Sequence, residues 1–193
     1  MAYTTYTTDA LVMAARDRGG ADRSVQLFTE THGMLSARAS SVREERSKMR
    51  YSLQPFSLIT VTLIRGKHEW RIIGALPGHN VFWSAPDRAC RASLLKFVRL
   101  IDRYITGEEE GAELFRIAKE AVTYLATSGS EVAYRVATFR LLAALGYIAP
   151  EAGLAALLDE RPFADIVRGY DPVLDDRLTK DINRALSVSH LSS

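Results

Sequence analysis

The sequence predicts an α+β chain: a small β-barrel first, then an all-helical region. Three observations carry this. Strand-like segments with period-two alternation crowd into the first 76 residues. Glycine-containing connections separate them. From residue 87 onward the apolar residues switch to helical spacing. Strands followed by helices point to two domains in series, not to an alternating α/β sheet.

The strands are justified in order. Residues 3–15 alternate at first, then run Ala10-Leu11-Val12-Met13-Ala14-Ala15, a strand that becomes buried on both faces. Residues Arg16 to Asp22 form a turn by composition, with Gly19-Gly20 at its centre. Ser24–Thr31 holds Val25, Leu27 and Phe28 and fits a second strand. His32-Gly33 makes a tight connection, because glycine accepts positive φ without a Cβ clash. Met34–Ala39 returns with Leu35, Ala37 and Ala39 on one side. Residues 40–50 are almost free of apolar side chains and form either a loop or a short polar helix. Leu58–Arg65 alternates cleanly, with Ile59, Val61 and Leu63 on one face. Gly66 to Glu69 turns, and Trp70–Leu76 is the last strand. Five short strands in about 75 residues fit an OB-fold barrel. Pro77-Gly78-His79-Asn80 reads as a chain break, so the OB-fold is placed at residues 1–78 and the helical domain at 82–190.

Five helices follow from pattern and caps. Asp87–Ile105 carries Leu94, Phe97, Ile101 and Tyr104 on one face. Leu114–Leu125 is the second. Ser130 is a candidate N-cap for Val132–Leu145, and Gly146 suits a left-handed C-cap. Asp175–Ser187 is the last, and Pro150 is placed to open a short helix between them.

Composition excludes several classes. An apolar fraction of 47% over 193 residues suits a folded globular chain, not a disordered one. No apolar run reaches the roughly 20 residues that span a bilayer, so no membrane partner is expected. The start Met-Ala-Tyr-Thr-Thr-Tyr has neither a basic nor an apolar leader segment, so a cytoplasmic protein is expected. The single cysteine, Cys90, has no partner for an internal disulfide and reads as a small buried helix residue. The net charge of +2 is unevenly spread. Residues 1–80 hold 11 basic and 7 acidic side chains, and the remainder hold 14 and 16.

The densest chemistry is cationic. Arg38, Arg43, Arg46, Lys48 and Arg50 fall within 13 residues, and Arg65, Lys67 and Arg71 follow on the next hairpin. Phosphodiester binding needs cations spaced along one surface, each neutralising a phosphate and releasing counterions. An OB-fold presents that surface with its loops and middle strands. Tyr51 and Trp70 are candidates for base stacking, although Trp70 and Phe56 suit the barrel core equally well. Glu44 and Glu45 interrupt the loop, so a plain solvated connection stays open. A second set, Arg88, Arg91, Lys96, Arg99 and Arg103, lies along one side of the first long helix. It is either a solvated outer face, an extension of a nucleic-acid path or a site for an acidic peptide.

The sequence carries no catalytic pattern. His32, His68, His79 and His190 have no metal-ligand spacing. There is no phosphate-binding glycine loop and no dinucleotide fingerprint. Glu108-Glu109-Glu110 and Asp175-Asp176 sit at turn signals, where carboxylates favour helix starts. No catalytic residue, cofactor or metal is expected.

Several segments together resemble one family. They are Thr8-Asp9-Ala10-Leu11-Val12, then Asp22-Arg23 with Leu27-Phe28-Thr29, Glu30, His32-Gly33 and Leu35, then Leu53-Gln54-Pro55-Phe56 and Arg65-Gly66. Phe139-Arg140-Leu141-Leu142 with Leu145-Gly146-Tyr147 adds a helical match. The chain thus resembles the bacterial recombination mediators of the RecO family. The resemblance implies binding to single- and double-stranded DNA, annealing of complementary strands and help in loading recombinase during homologous-recombination repair. It implies two protein partners, RecR and the C-terminal tail of single-stranded-DNA-binding protein. Arg99, Arg103 and Arg140 are the candidates for holding that acidic tail. Many family members carry a four-cysteine zinc segment in the helical domain. This chain has only Cys90, so no zinc is expected. The alternative reading is a protein-docking adaptor of the same fold with little DNA affinity.

Overall fold

The computed structural model describes residues 4–45, 47–109, 111–149, 151 and 153–190. Five strands, β1 (Thr5–Arg18), β2 (Asp22–Thr29), β3 (Gly33–Ala39), β4 (Ser57–Arg65) and β5 (Trp70–Asn80), close into a barrel in the order β1-β2-β3-β5-β4. All neighbours are antiparallel except β3 and β5, which run parallel through Ala37↔Trp70 to Ala39↔Ile72. The fold is therefore the expected α+β arrangement, an OB-like barrel followed by helices.

Strand β1 closes the barrel because it serves two partners. Its first half pairs with β4 and its second half with β2, and Ala10 and Leu11 pair with both. A register shift between Val12 and Ala14 marks a bulge, which bends the strand and re-aims its side chains. Ala10, Val12, Leu27, Leu35, Val61, Leu63 and Trp70 fill the interior with residues of all five strands. Val42 and Leu53, from the long β3–β4 connection, join the same core. Part of the second face of β1 and β2, including Leu11, Met13 and Phe28, is also buried. There Phe28 is fully covered and meets Phe115 edge-on at 5.4 Å.

The expected break at Pro77-Gly78 is instead strand. β5 continues to Asn80, pairing His79 with Leu58 and Asn80 with Ser57. Proline lacks the N–H a ladder needs, but the register shift between Leu58 and Thr60 takes it out of the regular pairing. Gly78 is required there, since a Cβ would overlap the Leu58 carbonyl oxygen.

The helices are α1 (Val81–Ser84), α2 (Arg88–Tyr104), α3 (Ala112–Ser128), α4 (Glu131–Ala144), α5 (Phe163–Arg168) and α6 (Asp175–His190). Cys90 lies on α2 and is buried, and burial pushes its thiol pKa up. Ser130 caps α4 by accepting the Ala133 N–H at 3.3 Å. Gly146, at φ 79°, closes α4 while the Tyr147 N–H reaches back to the Leu142 carbonyl at 2.9 Å. Pro150 lies outside the described residues.

The chain divides into two compact units. One is Met1–Ser84 with Asp102–Phe115; the other is Ala85–Ile101 with Arg116–Ser193. The returning segment of the first unit is tied to the barrel. Gln26 donates to Asp102 at 2.9 Å, and the Met34 N–H donates to the Gly107 carbonyl at 2.9 Å. Gly33, at φ 57°, lets that segment approach. A Cβ there would overlap the Glu109 carbonyl oxygen and lie 2.8 Å from that of Gly107.

Candidate nucleic-acid interface

At one end of the barrel, β1, β3 and the β4–β5 hairpin enclose a cleft of about 330 Å³. Arg18, Arg38, Arg65 and Lys67 line it, together with Ser24, Ser36, His68, Glu69, Trp70 and Glu108. Sequence-distant cations meet here because β3 and β5 pair in parallel, which aligns Arg38 with Arg71, while β4 pairs Arg65 with Trp70.

Carboxylates hold three of the four cations in place. Arg38 Nε donates to Asp22 Oδ2 at 2.7 Å, and Arg38 Nη1 lies 3.5 Å from Glu69 Oε1. Glu69 Oε2 accepts from Arg18 Nη1 at 2.6 Å. Arg65 Nη2 lies 3.5 Å from Glu108 Oε2, and its guanidinium carbon sits 5.2 Å from the centre of the Trp70 ring. The electrostatic consequences agree in sign. The Ser41 N–H and then Arg38 hold the Asp22 carboxyl below its usual pKa. The hydrogen bond from Arg18 does the same for Glu69. The bond to Asp22 raises Arg38. All three groups keep their charges at neutral pH.

The β3–β4 connection carries the other expected cations. Arg43 is exposed; its Nη1 donates to the Gly20 carbonyl at 3.0 Å, and its Nε lies 3.6 Å from Asp17 Oδ2. Arg46 lies outside the described residues. Lys48 and Arg50 are exposed on a single 3-10 turn, Lys48–Arg50, so the segment expected as loop or polar helix is mostly irregular. Tyr51 follows and is 73% exposed.

Two candidate residues are not placed as expected. Trp70 is only 4% exposed, enclosed by the edges of Tyr6 and His32 at 5.4 and 5.2 Å. An indole packed in the barrel core has no open face for a base, so the stacking role expected of Trp70 is withdrawn. Its indole N–H is buried and meets no acceptor among the described residues. Arg140 is 2% exposed within α4, so its guanidinium is not displayed to a peptide and that expectation is corrected as well. Arg99 and Arg103 are exposed on α2.

Sequence reasoning missed Arg18 and Glu69, which it assigned to turns. Their pairing across 51 positions leaves no local pattern. It also missed a groove of about 580 Å³ in the helical unit, lined by Arg116, Lys119, Glu120, Thr123, Tyr124, Thr127, Phe163 and Ala164. The signal for it was the recurrence of Arg116, Glu120, Thr123 and Thr127 at helical spacing along one side of α3. Among the described residues no cluster of histidine, cysteine and carboxylate side chains is arranged to hold a metal, and no helix is long and apolar enough to cross a membrane.

Comparison with known proteins agrees with the barrel fold. Residues 1–73 match the family described as Recombination protein O N terminal. The chain is 29% identical over 143 residues to the DNA repair protein RecO of Pelotomaculum thermopropionicum, covering 74% of this chain and 56% of that one. It is 30% identical over 149 residues to the same-named protein of Heliobacterium modesticaldum, covering 77% and 54%. The counterpart in Myxococcus xanthus is 29% identical over 121 residues, covering 62% and 50%. The chain thus spans about half the length of these curated relatives. On the barrel, the N-terminal match and the named relatives together, the chain belongs to the RecO family of DNA repair and recombination proteins.

Proposed function

We propose that this chain is a recombination mediator that binds single-stranded DNA at the cationic end of its barrel and promotes annealing and recombinase loading. The carrying observation is the cleft that gathers Arg18, Arg38, Arg65 and Lys67. A phosphodiester is an anion with several acceptor oxygens, and guanidinium groups match it in charge and geometry. Arg43, Lys48 and Arg50 extend the path along the β3–β4 loop, and Tyr51 offers an exposed ring. Double-stranded DNA shares the phosphate contacts. Holding strands through counterion release, with no bond made or broken, suits a mediator rather than an enzyme.

Two protein partners complete the reading, RecR and the acidic tail of single-stranded-DNA-binding protein. For the tail, the α3–α5 groove fits better than Arg140. Tyr124 and Phe163 supply an apolar wall, and Arg116 and Lys119 supply positive charge beside it. Arg99 and Arg103 remain exposed candidates.

One observation favours the adaptor reading. Arg18, Arg38 and Arg65 are each already matched by a carboxylate, which lowers what the cleft offers to DNA. A titration with labelled single strands at several salt concentrations separates the two. The mediator binds with a slope of about −0.7 per phosphate contacted. Replacing Arg43, Lys48, Arg50 and Lys67 with alanine flattens that slope. Undetectable binding by the unaltered chain at about 50 mM salt favours the adaptor.

A further inference from the structure

A second hollow in the first unit, about 370 Å³, is separate from the cleft and is lined in part by the end of the β3–β4 connection. Arg23, Gln54, Pro55, Phe56, Phe82 and Trp83 line it, and no carboxylate does. Its walls are fixed by hydrogen bonds. Asn80 Oδ1 accepts the N–H groups of Phe82 and Trp83, each at 3.1 Å. Asn80 Nδ2 donates to the Pro55 carbonyl at 2.9 Å and to Ser57 Oγ at 3.0 Å. The Phe56 N–H reaches the Val12 carbonyl at 2.7 Å, and the Phe56 carbonyl accepts the Val81 N–H at 3.0 Å.

Phe56 holds φ at 69°, a backbone region that bulky residues avoid, and its ring stacks on Phe82 at 5.2 Å. Trp83 stands edge-on to Phe82 at 5.6 Å and is 69% exposed. An indole left open to water on a pinned backbone costs hydrophobic free energy unless something stacks on it.

The hollow also connects to the proposed DNA path. Arg23 Nε lies 3.2 Å from Asp17 Oδ1, and Arg43 Nε lies 3.6 Å from Asp17 Oδ2. Arg23 and the loop cation Arg43 therefore belong to one charged cluster. An aromatic face, a guanidinium, and an amide that both donates and accepts are the groups that recognise an unstacked base.

We propose that this hollow seats one unpaired nucleobase of the bound strand, stacked on Trp83, with Gln54 facing the base edge and Arg23 the adjoining phosphate. The inference rests on the reading that the first unit binds single strands. It adds a site that would distinguish a single strand from a duplex, because a paired base cannot leave its stack without cost.

The test uses the full chain and two probes of about 20 nucleotides, an oligothymidylate and an abasic strand of equal phosphate number. The chain has two tryptophans, and Trp70 lies beside the cleft, so the quenching that W83A abolishes reports on Trp83. The expected result is quenching by oligothymidylate and not by the abasic strand. W83A weakens oligothymidylate binding by about tenfold, leaves abasic binding and the salt slope unchanged, and W83F restores most of the loss. If W83A binds oligothymidylate as the unaltered chain does, or loses both probes equally, the base seat is overturned while the phosphate path stands. If the unaltered chain binds neither probe, the DNA reading falls and the base seat with it.

Discussion

Glu69 sits between two arginines that the proposed function needs. Its Oε2 accepts from Arg18 at 2.6 Å, and its Oε1 lies 3.5 Å from Arg38. Replacing it by glutamine keeps the shape and removes the charge. Both pairs are solvent-exposed, and such pairs add little to folding, so the barrel should persist. The effect on DNA is larger. Each cation released to a phosphate adds about 0.7 to the salt slope for single strands, which at about 0.1 M salt, relative to about 1 M, is about fivefold in affinity. Glu69→Gln releases Arg18, while Arg38 stays paired with Asp22, so it should tighten binding by about fivefold and steepen the slope by about 0.7. Fluorescence anisotropy with a labelled oligothymidylate between about 50 and 400 mM salt reads both quantities. An unchanged slope, or weaker binding at every salt concentration, would refute the claim that Glu69 competes with phosphate for these arginines.

Two further predictions concern the scaffold. Gly33→Ala should destabilise the first unit by at least about 2 kcal/mol, adding a clash with the Gly107–Glu109 backbone to the roughly 1 kcal/mol cost of positive φ. Gly20→Ala has the same φ problem and open space around it, so it should cost about 1 kcal/mol. Equal losses in denaturant titrations would contradict the close approach. In the helical unit, Tyr170 donates to Asp175 Oδ1 at 2.7 Å, and Arg135 Nη1 lies 2.9 Å from Oδ2. The Tyr170 hydrogen bond, then Arg135, hold the Asp175 carboxyl below its usual 3.8. Because the folded state binds that proton less readily, the stabilisation is complete above 3.8 and fades as pH falls through the lower folded value. The Tm gap between the unaltered chain and Asp175→Asn should be constant from neutral pH down toward that range and close only in acid. A gap that closes near neutral pH would contradict it.

The strands were legible because a barrel wall imposes alternation, and Ile59, Val61 and Leu63 obey it. The caps at Ser130 and Gly146 were legible because they rest on local backbone chemistry. What escaped was non-local. The end of β5 was misread because Pro77 signals a break and the bulge that tolerates it depends on β4. Helix α5 has six residues, too few for a period to emerge. The loop cations were visible as a run of charge. That Arg18 and Glu69 join Arg38 depends on how the barrel closes, and so does the enclosure of Trp70.

The barrel's own body is discontinuous in sequence. Residues 102–115 supply Phe115 against Phe28 and a backbone acceptor for Met34, yet they come after most of α2 has been synthesised. A nascent chain emerging from the ribosome therefore cannot complete this body when β5 appears. It must wait for some thirty further residues, with an aromatic surface temporarily uncovered. A truncation after Ser84 would make that interim condition permanent, so such a fragment should be sticky in solution where the longer chain is not.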